Sequence, residues 1–265
     1  HAGNNLNNAL WVPGVGNRFM QYGDGYGTTY NPFTALDICA HEMGHGINEF
    51  TANLTPGTQE SGALNEGFSD IWGASIEHWA APGKQVWLMG EEIFKTATYN
   101  CTRNLQNPKT TTASEGRHPN TYQGQYWSST GESHTNSTVL SHWFYLLAQG
   151  GGGTNDNSNS YSVTAIGIDK AERIAWRTES VYLTATANYS AARTASIQAA
   201  TDLYCGNSPE VIAVTNAWYA VGVGAAYSGN VMSVSGLSSF CTTATYSAIN
   251  QPTGITSLVW STSNS

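Results

Sequence analysis

His41-Glu42-Met43-Gly44-His45 puts two imidazoles and a carboxylate within five residues of a chain that has only seven histidines. Four residues is just over one helical turn, so on a helix both rings stand on one face and reach a single metal ion. Glu42 lies about 100° around that helix from His41, close enough to hold a water at the metal without being a ligand itself. A catalytic zinc takes three protein ligands and keeps a fourth position open, so the pair needs one more. The segment from Ser61 to Trp72 offers it. Glu66, Asp70 and Glu77 recur at offsets of four and seven, which keeps three carboxylates on one helical face. Such a face repels itself unless cations sit among the acids. Glu66 is the expected third zinc ligand. Asp70, one turn on, is placed to accept the outer N–H of a ligating imidazole and fix its tautomer. Phe68, Ile71, Trp72 and Ile76 on the same stretch imply that this helix is heavily packed.

Periodicity and breakers outline the elements that hold these residues. The first ligand helix is expected from about Thr34 to Thr51, and a loop with Pro56-Gly57 follows. The second runs from about Gly62 to Ala80 and is ended by Pro82-Gly83. Residues 1–33 read as strand and turn, and residues 83–130 as mostly irregular. Val139, Leu140, Trp143, Phe144, Leu146 and Leu147 mark a helix over about 138–149, stopped by the glycines at 150–153. Further helices are expected over about 168–182 and 190–206. A last one begins at Ser208-Pro209-Glu210, a capping residue followed by proline in the first turn, and ends near Gly222. After Ala226 the composition becomes β-like, over 231–236, 243–247 and 258–261.

The run from His41 to Asp70 resembles the thermolysin-like zinc metalloproteases, in which His-Glu-x-x-His is followed some twenty residues later by Asn-Glu-x-x-Ser-Asp. Here that second part reads Asn65-Glu66-Gly67-Phe68-Ser69-Asp70. The likeness extends to Asn7-Asn8-Ala9-Leu10-Trp11, Tyr22-Gly23-Asp24-Gly25, Ser133-His134-Thr135-Asn136-Ser137, Ala200-Thr201-Asp202-Leu203-Tyr204 and Ala217-Trp218-Tyr219-Ala220-Val221-Gly222. It covers roughly residues 5 to 225. It implies an α+β fold of the thermolysin type, consisting of the helical C-terminal lobe and part of the β-rich N-terminal lobe. The expected domains are 1–226, the catalytic domain, and 227–265, an incomplete immunoglobulin-like module.

The resemblance also implies roles. His134 stabilises the oxyanion of the tetrahedral intermediate, as oxyanion donors do generally. Arg103 binds a substrate carbonyl and braces the site. Asn8 and Ala9 pair with the substrate backbone by strand addition. Tyr30, Phe33, Ile38 and Met89 line an apolar pocket for the residue after the scissile bond, or equally are ordinary core. Asp37, Glu77 and Glu91 match calcium ligands. Val86 and Leu88 replace two further acids of that site, which reduces the expectation to one Ca2+ at most. Two departures stand out. The lead-in Ser128 to Ser133 lacks the family's Asp, and Glu132, two residues before His134, stands at an awkward distance to replace it. The family's oxyanion Tyr, due near Pro56, has no counterpart.

The 265 residues suffice for one large domain plus a fragment, and 40% hydrophobic residues for a core. Only 11% are charged, the net charge is -8, and the ten Lys and Arg form no patch, so nucleic acid is not an expected partner. No apolar stretch approaches membrane-spanning length, so no membrane is expected either. The opening His1-Ala2-Gly3-Asn4 reads like the middle of a protein, and a fragment or processed form is expected. Cys39, Cys101, Cys205 and Cys241 lack metal-knuckle spacing. In an oxidising compartment Cys205 pairs with Cys241, or Cys241 with a residue beyond the chain. The expected protein is a secreted bacterial zinc endopeptidase, a monomer acting on proteins or peptides before large apolar residues. A zinc aminopeptidase and a non-catalytic binding or adhesion protein stand as the alternatives.

Overall fold

The structure, a computed structural model, describes residues 5–229 apart from 15, 58 and 113–115, together with the backbone of 233–235 and 247–249. The chain divides into His1–Ala226 and Tyr227–Ser265. In the first unit, strands β1 (Ala9–Val12) and β2 (Phe19–Tyr22) pair as an antiparallel ribbon with Ala9 opposite Tyr22. Helices α1 (Leu36–Phe50) and α2 (Glu60–Ala80) follow. Strands β3 (Leu88–Met89) and β4 (Arg103–Asn104) form a second short antiparallel pair. Then come α3 (Ser133–Gln149), the hairpin β5 (Gly151–Thr154) with β6 (Ser160–Val163), α4 (Ile168–Arg177), α5 (Tyr189–Tyr204) and α6 (Pro209–Ala220). This mixture of helices and small sheets is α+β, as expected. In the second unit, β7 (Ser233–Ser235) pairs antiparallel with β8 (Ser247–Ile249). The expected immunoglobulin-like module, with Cys241 and residues 258–261, lies otherwise outside the described residues.

Helix α2 is the axis of the first unit. Leu64, Phe68, Ile71 and Ala74 have at most 1% of their surface exposed, so this helix is covered on nearly every side. Each large apolar side chain buried this way contributes about 1.5–3 kcal/mol. Two glycines let its neighbours approach closely. A Cβ on Gly44 of α1 would stand 2.7 Å from the Ser69 Cα, and one on Gly67 of α2 would stand 2.9 Å from the Leu140 Cβ of α3. The two ligand helices therefore touch backbone to backbone, with α3 pressed on the other side of α2. Trp143 and Trp218 stack at 4.9 Å between α3 and α6.

Three elements differ from the expectation. Helix α3 starts at Ser133, five residues early, because the Glu132 carboxylate caps it and accepts from the His134 and Thr135 N–H groups. That places His134 in a helical first turn rather than in a loop. The glycines after α3 do end it, but they also form strand β5. The helix expected over 168–182 is α-helical only to Arg177, and Thr178–Tyr182 widens into a π-turn.

Candidate metal centre

Helices α1 and α2 bring His41, His45 and Glu66 together, with one ligand atom from each lying within 4.8 Å of the others. The rings of His41 and His45 stand edge to face at 4.7 Å. His41 Nδ1 donates to Asp70 Oδ1 at 2.9 Å, and His45 Nδ1 donates to Asn65 Oδ1 at 2.7 Å. Both outer nitrogens are therefore occupied, which turns both Nε2 atoms inward. His41 Nε2 lies 3.3 Å from Glu66 Oε2, and His45 Nε2 lies 3.7 Å from Glu66 Oε1. Glu66 Oε2 is buried without a hydrogen-bond partner. Two imidazole nitrogens and an unsatisfied carboxylate oxygen converging in a buried space fit a divalent cation of the zinc type.

The electrostatics agree. Burial opposes a charge on His41, but the Asp70 and Glu66 carboxylates beside it outweigh burial and push it up to about 10. Burial likewise opposes a charge on Glu66, yet His41, His45 and His134 hold its carboxyl well below the usual range. Burial pulls His45 down. A pocket that draws a proton this strongly onto an imidazole is one that attracts positive charge.

Asp70 is fully buried and held on three sides. Arg103 Nε and Nη2 donate to its two oxygens at 2.8 and 2.7 Å, and Ser141 Oγ donates to Oδ2 at 3.1 Å. Burial would raise its carboxyl, but Arg103 and His41 keep it low. Arg103, expected to bind substrate, thus braces Asp70 from behind while still lining the cleft. Sequence reasoning passed over Asn65 and Ser69 as partners of His45, the latter at 3.1 Å. Their signal was present, because Asn65 and Ser69 are one turn apart and share a face.

The centre opens into a cleft of about 740 Å3 that Glu42 and His134 also line. Glu42, 5% exposed, stands beside the ligands. His134 Nε2 reaches to 3.6 Å from Glu66 Oε2, while its Nδ1 faces Glu132 Oε1 at 3.0 Å. The distance that looked awkward in sequence is short because Glu132 is the N-cap, and its side chain folds over the first turn of α3. His134 holds the Glu132 carboxyl down to about 2, and Glu132 in turn raises His134. Asn8 and Ala9 line the cleft at the start of β1. Tyr30, Phe33 and Ile38 line it too. Met89 does not belong there: it is fully buried with Ala74 and Leu105 in the core. Where the family's Tyr was expected, Leu54 and Pro56 form the wall.

Asp37 stands on α1, Glu77 on α2 and Glu91 in the short helical turn Glu91–Ile93. Both oxygens of Glu77 and one of Glu91 are buried without hydrogen bonds, and burial pushes both carboxyls up to about 7. Asp37 accepts from the N–H groups of Ile38 and Gly90. Lys84 Nζ lies 3.6 Å from Glu77 Oε1, so part of the needed positive charge is already present. Among the described residues these three acids are not drawn together as tightly as the histidine site is.

A metal-binding cleft between two packed helices, in a mainly helical unit, is the class that fold and site define. Comparison with known proteins narrows it. The model described as thermolysin metallopeptidase, catalytic domain, matches residues 1–49, and the model for its alpha-helical domain matches residues 52–223. A bacillolysin of Bacillus caldolyticus and a thermolysin of Alicyclobacillus acidocaldarius are each 39% identical over 227 residues, 84% of this chain. The solved precursor of protealysin, a metalloproteinase from Serratia proteamaculans, superposes with a TM-score of 0.66 at 25% identity, covering 82% of this chain and 65% of its own. The chain belongs to the thermolysin metallopeptidase family. It spans 39% of the length of those curated relatives.

Proposed function

We propose that this chain is a zinc-dependent endopeptidase. The observation that carries the reading is the orphaned Glu66 oxygen facing two imidazoles whose outer nitrogens are already bonded. His41, His45 and Glu66 would hold the zinc, which when bound polarises a peptide carbonyl and makes water a better nucleophile. Glu42 takes a proton from the attacking water and returns it to the leaving amine. His134, steadied by Glu132, directs its Nε2–H at the developing oxyanion. Asn8 and Ala9 at the edge of β1 align the substrate backbone. Tyr30, Phe33 and Ile38 favour a large apolar residue after the cleaved bond, and Arg103 holds Asp70 in place and faces the substrate.

Three supporting proposals follow from the same residues. Asp37, Glu77 and Glu91 bind one Ca2+ at most. Residues 1–226 are the peptidase domain, and residues 227–265 belong to an immunoglobulin-like module. The substrates are proteins or peptides, met outside a bacterial cell by a monomer, with neither nucleic acid nor membrane as partner. The net charge of -8 supports this. Among the described residues no helix is long and apolar enough to cross a membrane.

The test is Glu42→Gln. The variant should bind one zinc per chain like the wild type and lose hydrolysis of a peptide blocked at both ends. Retained activity in that variant would rule out the mechanism. Cleavage of free peptides but not of blocked ones by the wild type would favour an aminopeptidase instead.

A further inference from the structure

Glu179 has none of its surface exposed, and its hydrogen bonds come from two neutral groups. A carboxylate buried away from any cation costs several kcal/mol. It sits in the π-turn Thr178–Tyr182, the local widening of a helix that often marks a functional position. No step of the proposed mechanism uses it.

Its bonds lead to the metal centre. Trp72 Nε1 donates to Glu179 Oε2 at 2.8 Å, and Asn48 Nδ2 donates to Glu179 Oε1 at 3.0 Å. Asn48 Oδ1 accepts from Asn65 Nδ2 at 3.2 Å, and Asn65 Nδ2 also donates to the Leu54 carbonyl at 3.0 Å. Asn65 Oδ1 then accepts from His45 Nδ1 at 2.7 Å. The two ends of this chain have fixed polarity: an indole N–H only donates, and a carbonyl only accepts. With Trp72 donating to Oε2, Glu179 accepts through Oε1 from the Asn48 NH2 group. Asn48 then presents its oxygen to Asn65, and Asn65 its own oxygen to His45. Asn48 is 1% and Asn65 9% exposed.

We infer that Glu179 is a positioning residue for the metal centre: through Asn48 and Asn65 it holds His45 with the proton on Nδ1, leaving the Nε2 lone pair for the metal. The inference rests on the zinc reading above. Ser69 Oγ, 3.1 Å from His45 Nδ1, gives the same tautomer a second and longer support, since its own hydroxyl donates to the Asn65 carbonyl.

Glu179→Gln keeps the shape but has one acceptor for two donors, so either Trp72 or Asn48 loses its partner. Asn48→Leu cuts the link in the middle. Zinc affinity is measured on zinc-free protein by competition with a chromophoric chelator, alongside the ring 15N shifts of His45 and thermal unfolding. Each variant should raise the zinc Kd about tenfold, the low end for outer partners of metal ligands because Ser69 remains. The His45 signal should move from one tautomer to a mixture. The double variant should bind no worse than Asn48→Leu alone, because Glu179 acts only through Asn48. Should Glu179→Gln not fold, Asn48→Leu reads the same link. A Kd within twofold of a tightly binding wild type, in whichever variant folds, overturns the inference while the zinc reading stands. A wild type that binds no zinc overturns both.

Discussion

Glu132→Ser separates two things that one carboxylate does. Its oxygens cap α3 by accepting from the His134 and Thr135 N–H groups at 3.3 and 2.6 Å, and Oε1 also faces His134 Nδ1 at 3.0 Å. Serine is as good an N-cap residue, so the helix keeps its start, but its hydroxyl is too short to reach the imidazole. The His134–Glu132 pair is nearly half exposed, with side-chain exposures of 47% and 45%. Solvent therefore limits the coupling to about 1 kcal/mol at most. Losing that much order in His134 corresponds to about a fivefold drop in kcat. KM should hold, since the ring acts on charge that develops in the transition state. Removing the ring altogether, His134→Ala, should cost about 10²–10³, the range for a deleted oxyanion donor. Glu132→Ala should show the same kinetic loss as the serine variant plus about 1 kcal/mol of destabilisation from the missing cap. The assay is steady-state hydrolysis of a blocked peptide by zinc-loaded protein, with kcat and KM separated and thermal midpoints recorded. An unchanged kcat in Glu132→Ser would refute the pairing; a hundredfold loss would refute the argument from exposure.

His142 supplies a pH test remote from the metal. It is buried on α3, donates to the Leu105 carbonyl at 2.9 Å, and burial depresses it to about 4. The unfolded chain, with an ordinary His value near 6.5, takes up the proton first on acidification. Its stability contribution is present above about pH 6.5 and is lost as pH falls toward 4, by about 3 kcal/mol. His142→Asn should flatten urea-unfolding stability between those pH values; parallel curves for the two proteins would refute the assignment. Calcium at a hundredfold excess over its Kd should stabilise the chain by about 2.7 kcal/mol. The gain should grow from pH 6 to 8 as Glu77 and Glu91, both raised to about 7, ionise. A thermal midpoint indifferent to calcium across that range would show that Lys84 suffices as the counter-charge.

The metal centre was the most legible part of the sequence, because its chemistry lives in short-range spacing. His41 and His45 are one turn apart, as are Glu66 and Asp70, and helical period alone puts each pair on one face. Apolar periodicity and the proline and glycine breakers placed α1, α2, α5 and α6 to within a few residues. The start of α3 was misjudged because Ser, His, Thr and Asn are indifferent helix formers, and only the folded Glu132 cap favours a helix there. Pocket and core stood as equal alternatives for Met89 in the sequence because apolar residues in both have the same type, and only packing separates them. The partnerships among Glu179, Asn48, Asn65 and Trp72 span up to 131 residues, and no local pattern encodes a hydrogen bond over that distance. Spacing along the chain sufficed for which atoms could grip a cation. Which way each amide and imidazole points was settled by tertiary contact, because polarity in a buried network is imposed by neighbours that the chain brings together only on folding.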